Sequence, residues 1–210
     1  PDRIRDLRLL THFASADERD NPSAAAQIAR FDNLTQGRRL QRSLCNSAAV
    51  FALPRAHAHW IRPGLALYGA SPFADQTGSS LRLVPAMRLV STVIAVREVS
   101  AGESVGYGSV WRAARDSRVA IVAAGYGDGL PRSLPNGTPV LVQGRRAALV
   151  GRVSMDMIAV DITGNAAANV GDLALLWGPE LPVEEIAAHA GTLAYELLCG
   201  VSQRVPVTLV

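Results

Sequence analysis

The sequence contains no lysine; all 21 of its basic residues are arginine. A guanidinium stays protonated and does not act as an amine nucleophile. Chemistry that needs a side-chain amine is therefore excluded from these 210 residues themselves. Aromatic residues are few, at 5%, but apolar residues make up 49%, an ordinary composition for a chain that buries a core rather than a disordered one. There are only two cysteines, Cys45 and Cys199, far apart in apolar contexts. They rule out a disulfide framework, and we expect buried free thiols in a cytoplasmic protein. No apolar run is long enough to span a bilayer, and no secretory pattern is visible, so no membrane association is expected. Net charge is only +3 and the arginines are scattered, apart from pairs such as Arg38-Arg39 and Arg145-Arg146. That distribution argues against a nucleic-acid surface. Cysteine and histidine nowhere adopt metal-ligand spacing, and neither a dinucleotide fingerprint nor a nucleophile elbow is present. The chain opens at Pro1 without an initiator methionine, which leads us to expect a piece of a longer protein.

What is present divides into two patterns. Residues 7–13 read as a short buried strand. Asn21-Pro22 suits the start of a helix over 22–36, where Ala24, Ile28, Phe31 and Leu34 recur at helical spacing. Strands are expected at 39–45 and 58–62, a helix at 47–53 stopped by Pro54, and a turn into a short helix at 63–69. Alternating strand and helix implies a parallel sheet. About three βα units are too few to close a (β/α)₈ barrel, which takes roughly 250 residues. A polar connector runs from Pro72 to Pro85. Beyond it, β-branched residues dominate 87–98, and short apolar runs at 118–124, 139–142, 147–153 and 158–162 continue an all-β module, with turns at Asn136-Gly137 and Gln143-Gly144. Helix returns at 183–199, interrupted by Gly191, and a last strand is expected at 203–210. We expect two domains: 1–84, the last βα units of a TIM-type barrel plus connector, and 85–210, a mainly β domain with a late helix.

Several residues stand where chemistry is done. Ser47 and Gly64-Leu65 follow strands and open helices, where free N–H groups can hold an anion; a plain N-cap and a plain turn explain them equally simply. His12 stands at a strand end, a position that also suits a hydrogen-bonded structural histidine. Tyr107 and Tyr126 are each framed by glycines, which expose a phenol or simply mark a hairpin tip. Gly151 to Asp156 and the Tyr195 helix could be a turn and a core stripe.

Taken in order, these segments resemble the alanine racemase family. The matching stretches are Thr11 to Asp17, Cys45 to Ala49, Arg62 to Gly69, Val105 to Gly108, Ala124 to Gly129, Gly151 to Asp156, and Ala194 to Cys199 with Arg204-Val205-Pro206. The resemblance implies the C-terminal part of a (β/α)₈ barrel followed by a mainly β C-terminal domain. It also implies a pyridoxal 5'-phosphate enzyme that interconverts L- and D-alanine as a head-to-tail homodimer with shared active sites. By the same resemblance Ser47, the backbones of Gly64 and Leu65, and Tyr195 would hold the cofactor phosphate. Arg62 would meet the pyridine nitrogen, with His12 behind it. Tyr107 would serve the partner's site as one acid–base group, and the Met155 N–H would meet the substrate carboxylate. Asp17, Tyr126, Arg132 and Arg152 would line the substrate's path inward. The family's cofactor lysine, the other acid–base group, has no counterpart here. Alternatives are an inactive binding module or a related barrel-type amino-acid decarboxylase, though the glycine-framed Tyr107 and the Ser-Met-Asp run favour the racemase.

Overall fold

The computed structural model describes residues 4–209; the opening at Pro1 and the terminal Val210 lie outside the described residues. The chain divides into two compact units, the first running to Ala86 and the second beginning at Met87. The fold is a parallel α/β segment followed by an all-β unit built on an antiparallel barrel.

In the first unit, strands β1 (Arg8–Leu10), β2 (Gln41–Asn46) and β3 (Trp60–Arg62) pair in that order, all parallel. Helix α1 (Ser23–Thr35) connects β1 to β2, and α2 (Ser47–Ala52) follows β2 directly. Asn21 supports the start of α1, its Oδ1 accepting the Ser23 N–H at 2.9 Å. Asn46 caps α2 by accepting the Ala49 N–H at 3.0 Å, and Pro54 prevents α2 from continuing. A single helical turn, α3 (Gly64–Leu67), follows β3. The core between sheet and helices is Phe13, Phe31, Leu44, Cys45, Ala48, Ala49 and Phe73. Burying each large apolar side chain contributes roughly 1.5–3 kcal/mol.

Two expectations are corrected here. Residues 7–13 are not a buried strand: β1 is three residues long, and Leu7 and Leu10 are 59% and 58% exposed. β1 pairs on one side only among the described residues, and within it Leu9 turns toward the helix layer. The connector is not merely polar. Phe73 is buried edge-on to Phe51, and Gly78 packs where a Cβ would strike the Gly69 carbonyl.

The second unit begins with the long strand β4 (Leu89–Val99). A hairpin of β5 (Ser104–Val105) and β6 (Trp111–Arg112) follows. Then come β7 (Ser117–Val122), β8 (Pro139–Val142), β9 (Arg145–Val150), β10 (Ile158–Asp161) and β11 (Leu173–Trp177). The order β10-β7-β4-β11-β8-β9 closes on itself, so these strands have no free edge. Val93, Val122, Val142 and Val160, one from each of four strands, are completely buried. Gln143 and Gly144 both take positive φ, 50° and 70°, the two-residue turn that suits the twist of the β8–β9 hairpin.

β11 was not anticipated, whereas the β5–β6 hairpin bears out the hairpin tip read at Tyr107. β11 reads Leu-Ala-Leu-Leu-Trp, an apolar run without alternation; it pairs with β4 and β8 and buries Ala174, Leu176 and Trp177. The late helix is two: α4 (Val183–Ala190) ends at Gly191, whose φ of 69° a helix cannot use, and α5 (Ala194–Gly200) restarts beyond it. No strand forms over 203–209; that segment is tied instead through Arg204. Cys45 is buried, but Cys199 is exposed, contrary to expectation, because α5 turns Ala194 and Leu197 inward. Among the described residues no helix is long and apolar enough to cross a membrane, and no cluster of acidic, His or Cys residues could hold a metal.

Candidate functional site

In the first unit the strand ends converge on Arg62. Its Nη1 donates to Ser43 Oγ at 2.6 Å, and its Nη2 to the carbonyls of Thr11 at 2.9 Å and Leu44 at 3.3 Å. Nη2 is also 3.4 Å from His12 Nδ1. Parallel pairing explains the meeting. Asn46 lies opposite Arg62, and the Thr11 N–H donates to the Ser43 carbonyl, so the C-terminal ends of three strands share one edge. These contacts use Nη1 and Nη2, and among the described residues the Nε–H has no acceptor. Burial pushes the Cys45 thiol above its ordinary pKa, and the positive charge of Arg62 partly opposes that.

Beside this cluster the buried Ser47 accepts the Ala66 N–H on its Oγ at 3.2 Å, which ties the start of α2 to α3. A Cβ at Gly64 would meet nothing within 4 Å, so space is open there. Leu65 is buried beneath. Thus His12, Ser47, Arg62, Gly64 and Leu65 gather at the strand ends. Asp17 does not join them; it is exposed in the loop after β1, with no hydrogen bond or ion pair among the described residues.

In the second unit three loops interlock. Tyr107, 67% exposed, stands on the turn between β5 and β6. A Cβ at Gly106 would come 3.2 Å from the Arg152 nitrogen, and one at Gly108 3.7 Å from its guanidinium carbon. Asn136 fastens this contact, donating from Nδ2 to the Val110 carbonyl at 3.2 Å and accepting the Gly151 N–H at 2.7 Å. The Tyr126 N–H donates to the Ser154 carbonyl at 2.9 Å, and the Gly127 N–H to the Met155 carbonyl at 2.8 Å. The C=O and N–H of one trans peptide point in opposite directions. Holding the Ser154 carbonyl therefore fixes where the Met155 N–H points, and that N–H donates to no protein group among the described residues. Gly125 is required here, since a Cβ would lie 2.3 Å from the Ser154 oxygen. Arg132 and Tyr195 are exposed, Tyr195 on α5.

Sequence reasoning gave no role to Ser43, Asn136, Asp128 or Arg204. Ser43 left no trace, since Gln41, Arg42 and Asn46 make its strand largely polar. Arg204 left only its place in a matching stretch: it donates from Nε to Asp128 Oδ1, 76 residues away, and from Nη2 to Asp156 Oδ1, both at 2.8 Å. The hydrogen bond to Asp128, then that to Asp156, raises its already high pKa further.

A parallel βα segment with donors at its strand ends, followed by an antiparallel barrel presenting a tyrosine and an oriented N–H, defines the class of protein. The chain belongs to the alanine racemase family. Residues 2–72 match the family's N-terminal domain and residues 86–209 its C-terminal domain. The alanine racemase of Shewanella amazonensis is 57% identical over 209 residues, covering 100% of this chain and 57% of the relative. The biosynthetic alanine racemase of Pseudomonas aeruginosa superimposes with a TM-score of 0.93 at 53% identity, over 97% of this chain and 57% of that one. The Bartonella henselae alanine racemase, solved with covalently bound pyridoxal phosphate, gives 0.84 at 32% identity, over 94% and 55%. The chain spans just over half the length of these relatives.

Proposed function

We propose that these residues serve the pyridoxal-phosphate-dependent interconversion of L- and D-alanine, in a homodimer whose sites draw on both subunits. The observation that carries the reading is the Arg62 cluster. A permanent cation is fixed at the strand ends, and among the described residues its Nε–H has no acceptor. Arg62 would donate that hydrogen bond to the pyridine nitrogen and leave the nitrogen unprotonated, since a guanidinium does not give up its proton. That arrangement tempers electron withdrawal and holds down side reactions. His12 would support Arg62 from behind. Ser47 accepts from Ala66, so its hydroxyl hydrogen remains to donate to a phosphate oxygen, and the open space at Gly64 lets backbone N–H groups of Gly64 and Leu65 approach the same oxygens. Tyr195 would add its phenol there.

When bound, the cofactor supplies the sink for the electrons left at Cα. Racemisation takes the Cα proton from one face and returns it on the other, so two groups on opposite faces are the simplest design. Tyr107 would move the proton on one face through its phenol oxygen, reaching the partner's site from its exposed turn. The Met155 N–H would hold the substrate carboxylate, and Asp17, Tyr126, Arg132 and Arg152 would line the way in. The proton on the other face, and the covalent attachment of the cofactor, require a lysine that these 210 residues do not supply. Within the chain the two compact units would be the end of the barrel with its connector, and the β domain. The product would serve D-alanine supply for peptidoglycan, and the reverse direction alanine breakdown, in the cytoplasm.

The test is Tyr107→Phe in the protein made from its complete gene. Racemisation should fall about 10²–10⁴-fold, the worth of one acid–base group. Exchange of the α-hydrogen with D₂O should be lost from L-alanine and largely kept from D-alanine. Equal loss from both would show that Tyr107 only positions substrate, and undiminished activity would return it to a hairpin tip.

A further inference from the structure

The second unit holds an ion-paired cluster for which the acid–base scheme has no use. We infer that Arg204 is a positioning residue, which fixes the Met155 peptide so that its N–H can hold a carboxylate. The inference rests on the proposed role of that N–H. Arg204 joins three segments distant in sequence. Its Nε grips Asp128 of the Tyr126 turn at 2.8 Å. Its Nη2 grips the Asp156 carboxylate at 2.8 Å and the Met155 carbonyl at 3.3 Å. The guanidinium lies flat against the backbone at Gly127, where a Cβ would come within 2.6 Å of Nη2.

The geometry works on both peptides that flank the donor. The Ser154 carbonyl is held by the Tyr126 N–H, and the Met155 carbonyl by the Gly127 N–H and Arg204 together. The Tyr126 turn is itself braced, because Asp128 Oδ2 accepts the Gly125 N–H at 2.7 Å while Oδ1 takes Arg204. Asp128 also anchors the arginine's own segment, its carbonyl accepting the Ser202 N–H at 3.1 Å. One planar fork thus makes the turn, the donor loop and the C-terminal segment a single rigid body. Lysine, a point charge, cannot reproduce bridging in two directions with fixed angles. Exposed ion pairs add little to stability. Three donor contacts converging on the neighbourhood of one unused N–H are better explained by preorganisation of that donor.

The experiment compares wild type, Arg204→Lys and Arg204→Gln in the protein made from its complete gene. It reads propionate binding, amide exchange over 154–157, steady-state kinetics and thermal unfolding. The expected result is a rise of about tenfold in both the propionate Kd and the alanine KM for Arg204→Gln, as for one misplaced hydrogen bond to a charged group. kcat should change less than about threefold, exchange at 154–157 should quicken, and Arg204→Lys should fall between. If Arg204→Gln does not fold, Asp156→Asn, which loses one arm of the clamp only, should show the same KM-against-kcat split at smaller size. Unchanged propionate affinity in a folded variant, or a fall in melting temperature with no change in Kd, overturns the inference. Wild-type protein that does not bind propionate at all overturns the carboxylate role of Met155 and the inference with it. Normal wild-type binding with no effect in the variants overturns the inference alone.

Discussion

Alanine placed at Gly125 tests how the Met155 loop is held. The new Cβ would lie 2.3 Å from the Ser154 oxygen and 2.4 Å from the Met155 oxygen. Carbon and oxygen without a bond between them approach to about 3.3–3.6 Å, so one backbone segment must retreat by about 1 Å. Both offending atoms are backbone carbonyls, and no side chain can rotate away to make room. Overpacking of this kind costs about 1–3 kcal/mol. The retreat also breaks the Tyr126-to-Ser154 and Gly127-to-Met155 hydrogen bonds, of 2.9 and 2.8 Å, at about 0.5–1.5 kcal/mol each. The total is about 2–6 kcal/mol, a loss of ~8–24 °C in melting temperature at ~4 °C per kcal/mol. Gly191→Ala is the control. Gly191 has φ 69° and nothing within 4 Å of a Cβ, so alanine there meets only left-handed strain, about 1–2 kcal/mol and ~4–8 °C. Thermal unfolding of the two variants, with amide exchange at Tyr126 and Gly127, reads the difference. In the complete protein a 1 Å misplacement of the Met155 donor should also cost about 10²-fold in activity, which Gly191→Ala should not. Equal melting shifts, or unaltered exchange at Tyr126 and Gly127, would refute the close-approach argument.

Two further outcomes are expected. Arg62→Met should destabilise the first unit by about 2–4 kcal/mol, because Ser43 Oγ and the Thr11 and Leu44 carbonyls lose their donor; the loosened unit should expose the buried Cys45 to a thiol reagent more often, and unchanged modification and melting would contradict the structure. The Arg146 hydrogen bonds, at 2.5 and 2.8 Å, hold the Glu185 carboxyl below its ordinary pKa. A depressed carboxyl stabilises above its unfolded pKa and ceases to as pH falls through the folded value. The pair is partly exposed, so Glu185→Gln should cost no more than about 1 kcal/mol at pH 7. That difference should vanish in acid below the carboxylate range; a penalty that persists or grows there would count against the pair.

The sequence by itself determined whatever is local or periodic. The α1 stripe and the Pro54 stop specified their elements, and the Gln143-Gly144 turn specified the β8–β9 hairpin, since each is written within a few residues. The change from βα alternation to β-branched runs announced two kinds of sheet, and Ser47 and Tyr107 were singled out by their setting, Arg62 by the family resemblance, before any contact was known. The absence of lysine is equally a fact of sequence alone. β11 escaped notice because Leu-Ala-Leu-Leu-Trp holds none of the β-branched residues that marked the other strands, and leucine and alanine suit a helix as well. The expected last strand failed for a different reason: β-branched residues at 205–208 suit a strand, but a strand needs a partner, and the barrel closes without one to offer. Arg204, Asp128 and Asp156 lie in three separate matching stretches, and nothing in those stretches says that they meet; only folding brings them together. The direction of the Met155 N–H is decided the same way, by hydrogen bonds from a turn about thirty residues earlier, because a peptide plane takes its orientation from whatever grips its carbonyl.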